Sequence, residues 1–451
     1  MISDPLMLAA ILVGAMVVFL LSGLWIGFSL YAAAICGMLT CKMNLPPTIS
    51  IWDKIGDLMA NSVWNTLNSW PLSALPLFIL MGEILYRTSI STRLLNGLVP
   101  WLSNIPGRLY HINVVACSLF AAVSGSSAAT TATVGKITYN ELSSRGYHKS
   151  LAIGSLAGSG TLGFLIPPSL IMIIYGILSD TSIGQLFIAG VIPGLTLATV
   201  YSLYIIVRCM ISPELVPQEK EEFTTAQRIE SLKDLFPVFL LITLVLGGIY
   251  AGLTTPTEAA VIGVLGALTI AVWFKNLTLD NFKESLLSAV KTSGMICFII
   301  SGAAFLSQVV GFLGIATALS KYIGTLNLSP YMLILVLGLM YVMLGMILDG
   351  ISIVVMTLPI VLPIVIAAGF DPLWFGIFVV FMVELSQVTP PVGFSIFVIQ
   401  YITQDDVKDI LKATFPFFVI MVLMVVLVTV FPEIVFTCQK NDRLITESNY
   451  T

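Results

Sequence analysis

The sequence predicts an all-α polytopic membrane protein, an inverted-topology repeat with two re-entrant helical hairpins and two discontinuous helices. Three observations predict it. Of 451 residues, 57% are hydrophobic and 10% charged, against about 25% charged in soluble domains. Apolar stretches follow one another along the chain, and at roughly 20 residues per crossing its length allows on the order of a dozen. Glycine- and proline-rich breaks interrupt these stretches in the same order in both halves. Helix is assigned throughout, because irregular backbone and open strand edges cannot face lipid.

The elements follow in order. Residues 6–40 form an apolar stretch too long for one crossing, and Gly23 near its middle predicts two helices joined tightly. The opening Met-Ile-Ser-Asp-Pro lacks a basic region and a convincing cleavage site, so the first run is expected to be a crossing rather than a removed signal peptide. Trp52, Trp64 and Trp70, with Asp53, Lys54 and Asp57, suit a helix lying along the membrane interface. An arm at 71–104, a hairpin at 109–135, a broken helix at 150–178 and an apolar block at 184–210 complete a first half of residues 1–225. The second half, 226–451, is expected to hold scaffold helices at 235–274 and an arm at 281–325. A hairpin at 331–370, a broken helix at 373–400 and a final helix at 412–436 follow.

The repeat rests on matched positions. Pro167-Pro168 recurs as Pro390-Pro391, the Gly125 region recurs around Asp349-Gly350, and Gly23-Leu24, Gly37 and Leu39 match Gly252-Leu253, Gly266 and Leu268. Charge gives the orientation. Arg87, Arg93 and Arg108 precede the Ser124-Gly-Ser-Ser127 run and Lys136, Arg145 and Lys149 follow it, so both flanks look cytoplasmic by the positive-inside rule. No Lys or Arg occurs between Lys321 and Lys408, so the loops of the matching block look external. Opposite bias in duplicated halves is what an inverted repeat produces, with one hairpin opening to each side.

Several classes are excluded. The 20 Lys plus Arg face 24 Asp plus Glu, and the polar stretch near 212–234 mixes both signs, which rules out a nucleic-acid partner. The six cysteines, at 36, 41, 117, 209, 297 and 438, show no CxxC or Cys/His ligand spacing and read as small core residues. Gly135-Lys136 superficially suggests a Walker A loop, but Thr130 stands in place of its first Gly and Ile137 in place of its Ser or Thr. His111 and His148 are too far apart for a helix-spaced pair and are expected to be interfacial polar residues. No catalytic pair accompanies Asp349, and the chain is not expected to be an enzyme.

The chemistry is expected at the breaks. Unpaired backbone at membrane depth is tolerated only where it lines a cavity or binds something; unwound carbonyls suit sodium, and half-helix N-termini suit an anionic group. The first-half candidates are Ser124, Gly125, Ser126 and Ser127 on the hairpin tip, with Gly160, Thr161, Gly163, Pro167, Pro168 and Ser169 on the broken helix. The second-half candidates are Asp349 and Gly350, with Ser386, Thr389, Pro390, Pro391 and Gly393. The competing reading is that small residues only permit close helix packing and the prolines only kink. Glu83, Glu258, Asp349 and Glu384 stand in apolar surroundings, where a carboxylate costs a few kcal/mol unless paired or lining a cavity. Asp349 is expected at or near a sodium site, whereas Glu258 and Glu384 are expected to serve structure first, Glu258 by capping a helix.

Taken together, several segments resemble the large membrane subunit (M subunit, DctM-like) of tripartite ATP-independent periplasmic (TRAP) transporters. They are Pro76-Leu-Phe-Ile-Leu-Met-Gly-Glu83, the run from Ser124, Gly146-Tyr147, Ile166-Pro-Pro-Ser169 and Leu186-Phe-Ile-Ala-Gly-Val-Ile-Pro-Gly194. Tyr250-Ala-Gly-Leu-Thr-Thr-Pro-Thr-Glu258, Leu348-Asp-Gly350 and Thr389-Pro-Pro-Val-Gly393 continue the order through nearly the whole chain. The resemblance implies an elevator-type secondary transporter of the ion transporter superfamily kind, a transport domain moving against a scaffold. It implies sodium symport, Na+ being the only ion required. The implied partners are a small membrane subunit of about four helices, a periplasmic substrate-binding protein and a small organic anion, in a bacterial inner membrane. Carried over by position, one sodium site uses Ser124, Gly163, Ile166 and Pro168 with Gly125 beside them. The other lies near Asp349, Gly350, Ser386, Thr389 and Pro391, and the substrate, a carboxylate or sulfonate, meets Ser126, Ser127, Ser169 and Thr161. The chain departs from the family at Ala129-Thr130, where many members carry Ala-Asp, and at Thr161-Leu-Gly-Phe164, where Ile-Gly-Pro-Ile is commoner. A self-sufficient sodium/dicarboxylate symporter, needing no binding protein, is the alternative.

Overall fold

The computed structural model describes residues 4–41, 50–88, 90–218, 223–325, 329–346, 348–389 and 393–437, and every regular element among them is helical. The chain opens with α1 (Pro5–Leu21) and α2 (Ile26–Thr40), then α3 (Ile51–Leu67), a 3-10 turn at Trp70–Ser73, α4 (Ala74–Arg87) and α5 (Ile90–Leu102). Next come α6 (Tyr110–Ser124), α7 (Ser127–Ser144), α8 (Lys149–Gly160), a 3-10 turn at Thr161–Gly163, α9 (Leu170–Ser179) and α10 (Ile183–Ile211). After a short 3-10 turn at Pro213–Leu215 come α11 (Thr225–Tyr250), α12 (Pro256–Trp273), α13 (Leu279–Phe312) and α14 (Ile315–Thr325). The last five are α15 (Pro330–Gly345), α16 (Gly350–Ala367), α17 (Pro372–Gln387), α18 (Phe394–Thr403) and α19 (Val407–Val430).

Local chemistry sets these boundaries. Asp4 caps α1 ahead of Pro5, and Asp371 caps α17 ahead of Pro372; the proline's fixed φ and missing N–H suit the first helical turn. Thr255 and Glu258 form a capping box on α12, the Thr255 amide donating to Glu258 Oε2 at 2.8 Å, which is the helix-start role the sequence predicts for Glu258. Gly23 takes φ +81 between α1 and α2, the tight join expected there. The long polar-to-apolar helix α13 ends at Gly314, φ +68, so the expected arm at 281–325 is two helices rather than one. Gly311 and Gly314, without a proline or a polar turn residue beside them, are a weak break signal in an apolar pattern, which is why the sequence reads as continuous there. The first hairpin also runs further than 135, to Ser144.

Among the described residues six helices, α10, α11, α12, α13, α16 and α19, are each long and apolar enough to cross a membrane alone, and α3 with the segment through α4 adds a bent candidate at 58°. That is fewer than the dozen the length allows, because much of the apolar sequence lies in helices of 10–17 residues. The molecule has the composition and helices of a multi-pass membrane protein. Two sets of helices emerge from the packing. Every side chain of α17 from Leu373 to Gln387 is buried, and its Trp374 and Phe375 each stack on Phe378. It packs against α9, α10, α15, α16 and α19 at the centre. By contrast, α11 exposes Phe236, Phe239, Leu240 and Leu244, the apolar surface a lipid-facing helix presents. In the outer set α4 packs on α12 and α13 packs on α2, so one helix of each half packs on a helix pair of the other.

Candidate functional site

The break after Ser124 is made by one residue. Gly125 adopts the left-handed conformation at φ +60 and ends α6, and Ser126 caps α7 through Ala129 N at 3.5 Å. The pair folds back as a helical hairpin. Its tip is held by the Ser124 and Thr130 hydroxyls, 2.9 Å apart. A Cβ at Gly125 would come 2.8 Å from the Pro168 carbonyl oxygen, and the Leu170 amide donates to the Gly125 carbonyl at 3.2 Å. The hairpin tip is thus docked on the second break.

That second break runs from the 3-10 turn at Thr161–Gly163 to Ser169, which caps α9 through Met172 N at 3.4 Å; the Pro167-Pro168 bond within it is cis. Gly163 is obligatory there, since a Cβ would sit 2.4 Å from Ser127 Cα and backbone cannot yield that distance. Ile166 and Thr161 are buried in the same segment, with Thr161 donating to the Gly158 carbonyl at 2.6 Å. The structure therefore brings Ser124, Gly125, Ser126, Ser127, Thr161, Gly163, Ile166, Pro168 and Ser169 into one contiguous region.

The second-half residues converge less tightly. Asp349 is exposed and caps α16, accepting from Ile351 N at 3.2 Å, Ser352 N at 3.4 Å and the Ser352 hydroxyl. Gly350 is buried at the join, where a Cβ would meet Val383 at 2.5 Å, Gln387 Nε2 at 3.0 Å and Phe164 at 3.3 Å. Phe164 belongs to the irregular segment of the first half, so the two halves touch here. Ser386 packs against Gly345 and donates to Val383 O at 2.7 Å, and Thr389 donates to Leu385 O at 2.6 Å. Pro390 and Pro391, expected in this site, lie outside the described residues.

A cavity of about 300 Å³ opens beside the first hairpin tip. Ser124, Ser126 and Ala129 line one wall; Gly82, Glu83 and Tyr86 of α4 and Thr292 of α13 line the other. Glu83 is held by α4 and α13, accepting from Arg87 Nε at 3.2 Å and from Ser288 at 2.8 Å, while Arg87 also reaches Glu284 at 2.6 Å. Of the hydroxyls expected at a substrate, Ser126 faces this cavity. Ser127, Ser169 and Thr161 are fully buried. One group that the sequence reading gave a structural role stands out: Glu384, wholly buried on α17, accepts through Oε1 from the Ser127 hydroxyl and from the Phe164 amide at 2.8 Å. No sequence signal could have paired it with Ser127, 257 residues away. His111 is spent on the Pro106 carbonyl at 2.8 Å.

Comparisons place this chain among transporters. Residues 13–434 match the family model described as "Tripartite ATP-independent periplasmic transporter, DctM component". A C4-dicarboxylate TRAP transporter large permease protein, DctM of Rhodobacter capsulatus, is 32% identical over 95% of this chain and 98% of its own length. The sialic acid large permease SiaM of Vibrio cholerae is 29% identical over 92% of this chain and 94% of its own. The isethionate permease DctMQ of Oleidesulfovibrio alaskensis is 29% identical over 96% of this chain but 66% of its own. Among solved structures, the YdaH transporter of Alcanivorax borkumensis superposes with a TM-score of 0.59 at 13% identity, covering 93% of this chain and 98% of that one. Neisseria gonorrhoeae MtrF superposes at 0.64 and 12% identity, covering 96% and 95%; both show a shared fold. The relatives are named as permeases, and the chain is a transporter component rather than an enzyme. By the match across residues 13–434, it belongs to the DctM family, the large permease subunit of tripartite ATP-independent periplasmic transporters.

Proposed function

We propose that this chain imports a small organic anion, a carboxylate or sulfonate, across a bacterial inner membrane by sodium symport, in an elevator motion. The carrying observation is the docking of the hairpin tip at Gly125 on the irregular segment at Pro168 beside the cavity at Ser124 and Ser126. The cavity lies between the first hairpin with the start of α9 on one side and α4 with α13 on the other, which is where a substrate would sit if one body slid against the other. Ser126 and the amino end of α7 offer hydroxyl and dipole to an anionic group. On the opposite wall Glu83 shares Arg87 with Glu284, so the positive end of α7 rather than that wall is what draws the anion. Irregular backbone around Gly163, Ile166 and Pro168 suits a first sodium ion, and the segment near Asp349, Gly350, Ser386 and Thr389 a second.

The element order α1–α2, α4–α5, hairpin, broken helix, α10 is followed by α11–α12, α13–α14, hairpin, broken helix, α19. This supports two inverted repeats, residues 1–225 and 226–451, with re-entrant hairpins opening to opposite sides. Relatives named for C4-dicarboxylates, sialic acid and isethionate support an organic anion as cargo. An extracytoplasmic binding protein delivers it, and a small membrane subunit of about four helices completes the scaffold.

The companions test this directly. The tagged chain, purified from native membranes in mild detergent, should bring down a stoichiometric small membrane protein, identified by mass spectrometry. Recovery of the chain alone from several detergents would favour a self-sufficient symporter.

A further inference from the structure

One face of α13 carries polar residues four apart, Glu284, Ser288 and Thr292, and residues at that spacing stack along one side of a helix. The first two are committed to α4. Arg87 Nη1 donates to Glu284 Oε2 at 2.6 Å, and the Ser288 hydroxyl donates to Glu83 Oε1 at 2.8 Å. One turn further on, Thr292 is the α13 residue that lines the cavity at Ser126. Its hydroxyl is uncommitted: the residue is half-buried, and the hydroxyl makes no hydrogen bond among the described residues. Helical threonines elsewhere spend theirs on the carbonyl four residues back, as Thr133, Thr199, Thr243 and Thr269 do at 2.7–2.8 Å.

The two walls of the cavity differ in charge. From the hairpin, Ser126 and the amino end of α7 present a hydroxyl and a positive dipole. On the other wall Glu83 lines the cavity and shares Arg87 with Glu284, while Lys291, next to Thr292, is exposed and outside the lining. An acid group is therefore favoured at α7 and disfavoured opposite, where a second carboxylate would meet like charge. What the α13 side of that wall offers is a neutral hydroxyl, and its partner is an uncharged oxygen.

We propose that Thr292 is a specificity-determining residue, hydrogen-bonded to a hydroxyl at the end of the substrate remote from its acid group. The inference rests on the anion-import reading above and narrows its cargo to a hydroxylated monoacid, carboxylic or sulfonic. Because the Glu284 and Ser288 contacts fasten α13 to α4, Thr292 keeps a fixed place in the wall opposite Ser126. A hydroxyl so placed favours a substrate that can pair with it over one that presents a methyl group there.

Matched acids test this without transport. The purified chain, with any membrane subunit that accompanies it, is titrated at constant sodium with 3-hydroxypropanoate against butanoate, and with 2-hydroxyethanesulfonate against propane-1-sulfonate. The members of each pair are equal in size and differ by a terminal hydroxyl in place of a methyl. The rise of the melting temperature with concentration gives each apparent Kd. The native protein should bind the hydroxyl member of at least one pair about tenfold more tightly. Thr292→Val, which keeps the shape, should cut that preference to about twofold or less, whereas Thr292→Ser should keep it. Ser126→Ala should weaken both members alike. Thr292→Ala stands in if the valine variant fails to fold. Equal binding within both pairs by the native protein, or an undiminished preference in the folded variant, would overturn the proposal. No response of the native protein to any of these acids would instead contradict the organic-anion reading itself.

Discussion

Ser126 and Ser169 form a matched pair for probing the cavity. Each caps a helix, of α7 and α9 respectively, but Ser126 lines the cavity whereas Ser169 is fully buried. Ser126→Ala should raise the substrate concentration for half-maximal uptake by about tenfold, the loss of one hydrogen bond to a charged group. Ser169→Ala should cost about 1 kcal/mol of cap stability and leave that concentration unchanged. Uptake kinetics and thermal melts of the two variants check this, and equal kinetic shifts would place the substrate elsewhere. The Ser-Gly-Ser-Ser run announces a helix break in the sequence. Which hydroxyl turns outward is not legible there, because it depends on left-handed Gly125 meeting Pro168 some forty residues on. Glu384 is hidden for the same reason: its composition context is that of any buried acid, and its partners come from distant segments.

At the scale of elements, the seam between hairpin and broken helix is a backbone-on-backbone contact. Gly163→Ala places a methyl 2.4 Å from Ser127 Cα, and neither chain can retreat without opening the hairpin tip. Overpacking of this kind costs about 1–3 kcal/mol, so the melting temperature should fall clearly. Gly56→Ala, in α3 where nothing lies within 4 Å, should instead be neutral or stabilise by about 0.5–1 kcal/mol. A melt in which both variants behave alike would remove the seam from the account. Breaks caused by paired signals, such as Gly160 to Pro168, are legible in sequence because several residues agree. The division of the second arm is not, since the join at Gly314 carries only glycines, with no proline or polar turn residue, in an otherwise helical pattern.

For the whole molecule, a central set of helices around α17 meets, through α16 on α13 and α14, an outer set in which α4 packs on α12 and α13 packs on α2. This interchange ties the two halves into one frame, and the cavity at Ser126 lies between frame and centre. Membrane character and repeated order are legible because composition and break signals act locally. The interchange itself is not, since it is set by contacts between helices hundreds of residues apart. The central claim is sodium-driven import of a delivered anion. Its most direct measurement is radiolabelled organic-anion uptake into proteoliposomes holding the chain and its small membrane subunit, with the purified binding protein outside. Accumulation should require both an inward sodium gradient and the binding protein, and should collapse when choline replaces sodium. Equal accumulation without sodium, or at full rate from free substrate alone, would contradict the account.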